Sequence, residues 1–482
     1  MALLSRFGPL VAYRELRHEY DRAILVLAAG DLVASFGFSL VFPFLTIYLT
    51  TVIGASATES GLVLGLYSIA SIGSNAAGGW LADRIGRKAV MVGSITLTSL
   101  IVAAMGQVHD LVGIGALTLG LGLVDPAFVP AARAAVADVV PPERRQRAYG
   151  LLGVAASIGW IGGPAIGAGL STLGYPILFS ISGAILLGYT AILLAAFRET
   201  RPQAGMDAAG RTSPLDASAR DASARDASAR ASAHAFAADN DGGTSSAGAS
   251  ALQEPQVVHG PVFVASGRRE GREPVPDARW LFMAFLPIGV LIHAATFQWV
   301  STLPIHASRD LGVSTTTWGL LFAFNGILIV LFQLRLSTLT EGWRKPVTMA
   351  LGLGMYAAGY LAVAAAHVPG LTTAVLGSVV IFATLGEMLV FPVEPAFVSD
   401  LSPLHLRGRY QGVFGAAAGL GSAVGPPLGG LALDRLADPL PWVAIAACGA
   451  VASGALLWLA TRMGTGGGEA RGASRDVSGG RA

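Results

Sequence analysis

The sequence predicts an all-α membrane protein of twelve transmembrane helices, arranged as two six-helix bundles related by pseudo-symmetry. Three observations carry that expectation. The 482 residues are 53% hydrophobic and only 13% charged, where a soluble domain carries roughly 25% charged residues, and mean hydropathy is +0.60. Twelve stretches stay apolar for about the 20 residues that a helix needs to cross the hydrocarbon core. Finally, a spaced pattern, G-x8-G-x3-G-P-x2-G, occurs twice. It runs through Gly150, Gly159, Gly163, Pro164 and Gly167, and again through Gly412, Gly421, Gly425, Pro426 and Gly429. Pro130, Asp138, Pro141, Arg145 and Arg147 fall in the same register on Pro392, Asp400, Pro403, Arg407 and Arg409. So many matches in one register mark a duplicated unit, and duplicated membrane units place a substrate path at their interface.

Taken in order, the first half (24–197) holds spans 1 to 6 at 24–50, 61–82, 89–107, 111–132, 149–172 and 175–197. The second half (280–462) holds spans 7 to 12 at 280–306, 315–334, 347–366, 371–393, 410–433 and 440–461. Each is read as a helix, because a lone span in lipid satisfies its backbone groups only internally. The N-terminal segment 1–23 carries Arg6, Arg14, Arg17 and Arg22 but leads into an apolar run too long for a signal-peptide core, so no cleavable leader is expected. The segment 198–279 contains three D-A-S-A-R units over Asp216–Arg230 and few bulky apolar residues. Such composition cannot bury enough surface to fold, and a disordered cytoplasmic linker between the halves is expected. The Gly-rich tail 463–482 is read in the same way.

Loop charge sets the orientation. Loops after spans 1, 3, 5, 7, 9 and 11 hold only Arg309 and Arg435 of the 32 Lys and Arg residues. The opposite loops hold Arg84, Arg87, Lys88, Arg144, Arg145, Arg147, Arg344, Lys345, Arg407 and Arg409. By the positive-inside rule both termini are cytoplasmic, in a multi-pass protein of the cell membrane. The net charge of +2 gives no reason to expect a nucleic-acid partner. Cys448, the single cysteine, can form neither an intrachain disulfide nor a metal cluster. No phosphate-binding glycine loop and no catalytic or metal-ligand constellation stands out, so no cofactor and no enzyme activity are expected. The chain is expected to work as a monomer.

After span 2 the sequence reads Gly79-Trp80-Leu81-Ala82-Asp83-Arg84-Ile85-Gly86-Arg87-Lys88. Gly79 permits close helix approach, Gly86 a tight reversal, and Asp83 among cations a charge-assisted cluster. A positive-inside loop alone would explain the basic residues, but not Asp83 and the two glycines. Here the chain resembles the major facilitator superfamily, whose signature loop G-x-L-a-D-r-x-G-r-k it matches. The resemblance implies that Asp83, Arg84, Arg87 and Lys88 help latch the halves in alternate conformations. The second-half counterpart, Glu341-Gly342-Trp343-Arg344-Lys345, is degenerate.

The repeated glycine pattern falls in spans 5 and 11. Its glycines make a flat face for helix contact, and Pro164 or Pro426 removes a backbone bond and permits a bend. Helix packing is part of the explanation in any case. The span 5 copy also resembles the antiporter motif of drug–proton exchangers, in which the helix bend prevents leak. It departs once, with Ala168 where the family has a second glycine; span 11 keeps the pair Gly429-Gly430. A family arginine in span 4 is missing, since Ala116 and Thr118 hold the candidate positions. Arg133 lies nearer the cytoplasmic end and reads as an interfacial anchor beside Asp138.

Three charged residues are expected well inside the spans: Asp31, Asp125 and Glu387. Asp125 and Glu387 share the 262-residue register, and His293 falls at the same offset from Asp31. A carboxylate at mid-bilayer costs about 2.5–3.5 kcal/mol on insertion scales, so such groups usually face a cavity. Burial favours the protonated form of a carboxyl in general, which suits proton exchange. With no basic residue expected beside them, the acids fit protons or cations better than anions; a protonated, hydrogen-bonded structural role is the alternative. Asn75, Gln298, Asn325 and Gln333 are polar enough to line a cavity or to bridge helices. Phe36, Tyr67, Phe297, Trp299 and Phe324 are available for an apolar cargo or for lipid.

The leading expectation is a proton-coupled exporter of small hydrophobic or cationic compounds. Its rivals are an importer or facilitator of a polar metabolite, and a membrane receptor or scaffold that transports nothing. The topology is directly testable: reporters fused at His109 and Ser213 should read outside and inside, and the same compartment for both would overturn it.

Overall fold

Helices stand at all twelve expected places in the computed structural model, which describes residues 22–200, 278–367, 370–403 and 406–473. The expected linker, with its D-A-S-A-R units, lies outside the described residues apart from its edges, as do residues 1–21 and 474–482. The last helix, Leu440–Ala473, runs past the point where a loose tail was expected to begin. Ten helical spans are long and apolar enough to cross a membrane. The other two places are held by Ala57–Ile85 (span 2), diluted by Ser68, Ser71, Ser74, Asn75 and several glycines, and by Lys345–Ala362 (span 9), diluted by Lys345, Pro346, Tyr356, Tyr360 and its glycines.

Helix ends follow local chemistry. Ser56 and Glu59 form a capping box at the start of span 2. Asp110 caps span 4 and Ser314 caps span 8. Pro176 and Pro346 sit in first turns, where a missing N–H costs nothing. Four spans are broken midway. Span 4 is Leu111–Val124 and Phe128–Val139 joined by a 3-10 turn, Asp125–Ala127, that holds Pro126. Span 10 is Thr372–Val390 and Val393–Leu401, parted at Phe391-Pro392. Pro392 cannot donate to the Met388 carbonyl, and Gln333 Nε2 donates to it instead at 3.2 Å. Spans 1 and 7 break at 40–44 and at Phe297.

Close packing rests on the repeated glycines. In the first half Gly159, Gly163 and Gly167 press against the backbone of Leu32, Phe36 and Leu40 in span 1, leaving no room for a Cβ. In the second half Gly421 and Gly425 press on the Val290 and Ala294 carbonyls of span 7, and Gly429 on the Gln298 side chain. The glycines are offset by 262 residues, but the partners they meet are offset by 258. The caps Ser56 and Ser314, and the pairs Arg87–Asp138 and Lys345–Asp400, show the same step. The extra four residues enter between spans 3 and 4 of the second half, where residues 363–371 replace 106–110 and include the 3-10 turn Val363–His367.

The halves join along two matching seams, span 2 on span 11 and span 5 on span 8. Gly61 faces the Pro426 carbonyl and Gly319 faces the Pro164 carbonyl, again without room for a Cβ. The departure at Ala168 is explained here: its methyl group lies over Gly319, so the missing glycine is supplied by the opposite helix. Gly430, the residue in its place in span 11, lies on the backbone of Ala57 and Thr58 and has no such freedom.

At the end away from the 83–88 loop, the seams are closed by charge. Asp434 of span 11 accepts from the Ala57 and Thr58 backbone N–H groups (3.3 and 2.8 Å) and from Arg309 Nη1 (3.1 Å). It therefore caps a helix of the other half. Next to it, Asp310 takes bonds from His306 Nδ1 (2.9 Å) and Arg309 Nε (2.8 Å). Burial alone would raise the Asp310 carboxyl, but these bonds outweigh it and hold it at about 2. Because the folded value is depressed, its stabilisation is full above the usual carboxylate range and is lost only as pH falls toward about 2. Toward the loop end the seams open, with free space over Gly73, Gly153, Gly412 and Gly415.

Valine at Gly61 or Gly319 is expected to cost about 1–3 kcal/mol through overpacking, whereas Gly73→Ala, in open space, should be neutral. Thermal unfolding in detergent checks this; equal melting temperatures for Gly61→Val and Gly73→Ala would refute the seam.

Candidate functional site: two chambers and a charged loop

The broken spans place the polar groups in two chambers. The first, about 750 Å³, lies inside the first half and is lined by Asp31, Ser35, Tyr67, Asp125, Arg133 and Trp160, among others. The second, about 470 Å³, lies between the halves. Its walls are Phe42, Trp160, Phe297, Trp299, Phe322 and Phe391, and its polar groups include His293, Asn325, Tyr356 and Glu387. Trp160 belongs to both. Its ring meets Phe38 and Phe42 edge-on at 6.1 and 6.0 Å, and it stands four residues before Pro164, where the helix lacks a backbone bond.

The paired acids occupy matching places but opposite chambers. Tyr67 Oη donates to Asp125 Oδ2 at 3.0 Å. Asn325 Nδ2 donates to Glu387 Oε2 at 3.1 Å and to Thr384 Oγ1 at 2.9 Å. Each carboxylate thus has a neutral donor. The expectation that no basic residue accompanies the acids fails in the first chamber, because span 4 continues as a helix to Val139 and carries Arg133 onto that wall. It holds in the chamber between the halves, where no Lys or Arg is among the lining residues.

His293 does not match Asp31. With the first helices of the halves offset by 258, the counterpart of Asp31 is Gly289, and that of His293 is Ser35, one turn along. His293 instead faces the chamber between the halves. Its Nδ1 lies 3.2 Å from the Gly289 carbonyl, and its Nε2 lies 3.7 Å from Glu394 Oε2. Glu394, 4% exposed, is a fourth membrane acid that the sequence reading missed. Span 10 was expected to end at 393, but its second helix runs to Leu401. The period-3.6 continuation of apolar positions through Phe397, Val398 and Leu401 was the signal that would have found it.

The remaining candidates separate cleanly. Asn325 lines a chamber. Gln298 is buried and occupied by bonds to the Gly425 and Ala294 carbonyls, so it joins spans 7 and 11. Asn75 is exposed near the open end and donates to Ser71 of its own helix, outside both chambers. Gly412 has open space over it and no packing contact that explains its place in the pattern; Gly150 lies outside the residues whose packing is described.

The signature loop is held within its own half. Arg87 bonds Asp83 and Asp138 (Nε to Oδ2 3.1 Å). Gly86 adopts φ 108°, which any side chain would resist, and leaves room for the Glu199 carboxylate. Glu199 accepts from the Arg87 and Lys88 backbone N–H groups at 2.9 and 3.1 Å and so caps span 3. Lys88 Nζ donates to the Leu194 carbonyl, Arg84 lies 4.4 Å over the Trp80 ring, and Gly79 packs near Pro130. The degenerate second copy retains one element, with Lys345 bonded to Asp400 as Arg87 is to Asp138.

Comparison with known proteins matches this architecture. The sequence model described as Major Facilitator Superfamily matches residues 27–426 and 278–476. The chain is 29% identical over 425 residues to an uncharacterized MFS-type transporter, YttB, of Bacillus subtilis (strain 168), covering 86% of this chain and 89% of that one. Over 190 residues it is 32% identical to the multidrug resistance protein MdtG of Serratia proteamaculans (strain 568), covering 38% and 46%. Among solved structures, a POT family transporter in complex with 5-aminolevulinic acid superposes with a TM-score of 0.66 at 12% identity, over 92% of this chain and 97% of that one.

Removing the Glu199 cap should cost about 0.5–2 kcal/mol, the range for a lost helix cap. Glu199→Ala and Gly86→Val should lower the melting temperature together and should not add in the double variant, since both free the same two N–H groups. Full additivity would break the link.

Proposed function

The chain belongs to the major facilitator superfamily, and we propose that this membrane transporter is a proton-coupled exporter of small hydrophobic or cationic compounds working by alternating access. The chamber between the halves supports this reading. Aromatic rings wall it, one carboxylate, Glu387, faces it, and no Lys or Arg lines it. Rings and a lone acid attract an apolar or cationic guest through burial and cation–π contact, and offer nothing to balance an anion. With the loop end cytoplasmic, the open seams face the cytoplasm, where an exporter collects its cargo. The likeness to a multidrug resistance protein points the same way over about two-fifths of the chain.

In this cycle cargo enters the chamber from the cytoplasm. The halves then rock about the glycine seams, the Asp434 closure opens, and a proton taken from outside displaces the cargo. The signature loop acts on the exchange between states rather than on affinity. Asp31 and Asp125 line the other chamber, whose wall also carries Arg133.

The deciding assay uses inverted vesicles with a preformed pH gradient and a panel of candidate compounds. Export coupled to protons dissipates the gradient on addition of a substrate. Glu387→Gln should abolish that response to cationic compounds and raise their apparent binding constant. Asp125→Asn, in the other chamber, should leave cation binding near wild type. Wild-type response in Glu387→Gln would remove the cation reading, and no response to any compound would favour a facilitator.

A further inference from the structure

Building on the proton-coupled reading, we propose that the coupling proton resides on the pair of Glu394 and His293, at the wall of the chamber between the halves, rather than on either of the symmetric acids. The contrast with those two acids carries this; Asp31 is set apart by its place in the other chamber and not by its bonding. Asp125 and Glu387 each accept a hydrogen bond from a neutral donor, which supports an ionised group. Glu394 is buried, its Oε1 has no hydrogen-bond partner among the described residues, and its Oε2 faces only His293 Nε2 at 3.7 Å. An ionised carboxylate without donors is costly in such a place, so the group is stable only when it carries a proton or faces a cation.

The geometry also selects the histidine tautomer. Nδ1 lies against the Gly289 carbonyl, which can only accept, so Nδ1 carries a hydrogen. The Nε2 lone pair of the neutral ring therefore points at Glu394. At 3.7 Å the two atoms are too far apart for a direct hydrogen bond, so a single proton sits on one group or the other. The neighbouring elements bring one further ionisable group, the Tyr356 hydroxyl, into the field of Glu394 and Glu387, and no Lys or Arg among the chamber's lining residues. Span 11 presents Phe414, Gly421 and Ser422 near His293. Span 9 presents Tyr356 on the shared wall, while Tyr360 is committed to the Ala295 carbonyl. Span 12 brings Cys448 to the Leu291 carbonyl. Span 10 supplies Phe391, Glu387 and Glu394.

Coupling follows from charge. Before cargo arrives, the pocket holds the Glu387 carboxylate and the Glu394–His293 pair with its single proton. A cation settling against Glu387 repels that proton, which leaves through Nε2 to chamber water. The Glu394 carboxylate then shares the cation's field. One positive charge enters as one leaves, so the charge of the pocket is unchanged, and a proton returning from outside reverses the step.

The test uses the full chain reconstituted in lipid, with ethidium as the probe cation. Infrared difference spectra between acid and alkaline pH, which need no cargo, should contain a protonated-carboxyl band that disappears in Glu394→Gln. Ethidium added at weak buffering should release one proton per cation bound in wild type, and none in Glu394→Gln or His293→Gln, both of which should still bind it. The histidine variant answers the same question should the glutamate variant not fold. Unchanged band and unchanged release in Glu394→Gln would overturn the site while leaving proton coupling intact. Ethidium binding without proton release in wild type would instead defeat the exporter reading, and the coupling role with it.

Discussion

Within lipid, apolar side chains gain nothing by leaving their surroundings for one another, so helices associate by close backbone approach and polar contact. In this chain that constraint is met by glycines set against carbonyl groups, both inside each half and along the seams between halves. The chambers, the broken spans and the path for motion all follow. A seam in which glycines lie on carbonyl groups, with few side chains such as Ile72 and Ile161 set over them, brings the two bodies into close backbone contact, while the larger residues on either side of it define the cavities. Ala168 over Gly319 shows how local the requirement is, because one missing glycine is made good by another across the seam.

The functional groups cluster where helices are interrupted. Asp125 starts a 3-10 turn, Glu387 stands one turn before the Phe391-Pro392 break, and Glu394 opens the helix after it. Proline at these points removes backbone bonds that side chains then satisfy, as Gln333 does for Met388. Breaks therefore bring both polar backbone and ionisable side chains to the middle of an apolar bundle, and the surrounding aromatic residues keep that polarity confined to the chambers.

The fold was legible because hydropathy, loop charge and a spaced glycine pattern depend on residue type alone. Asp125, Glu387 and Asn325 were legible for the same reason, being polar residues in apolar runs. Two features were not. A four-residue step hidden in a loop changed the register of the first three helices, so the match of His293 with Asp31 was numerical and not spatial. Spans 4 and 10 also continue as helices beyond the expected membrane limits, carrying Arg133 and Glu394 inward. Composition near a span end looks the same whether the chain leaves the bundle or bends and continues, and only packing distinguishes them.

The carboxylate of Asp434 makes the two ends of the seam unequal. Because it accepts from two backbone N–H groups at the start of a helix of the opposite half, separating the halves at that end costs those bonds, while Ser56 and Glu59 keep their capping box and Arg309, in the same half, stays with Asp434. Bonds of this kind at a helix start are worth about 1 kcal/mol. Parting the seam at that face thus costs bonds that its opposite end, with free space over Gly73, Gly153, Gly412 and Gly415, does not hold. A single anionic side chain at a helix terminus weights one end of the seam against parting.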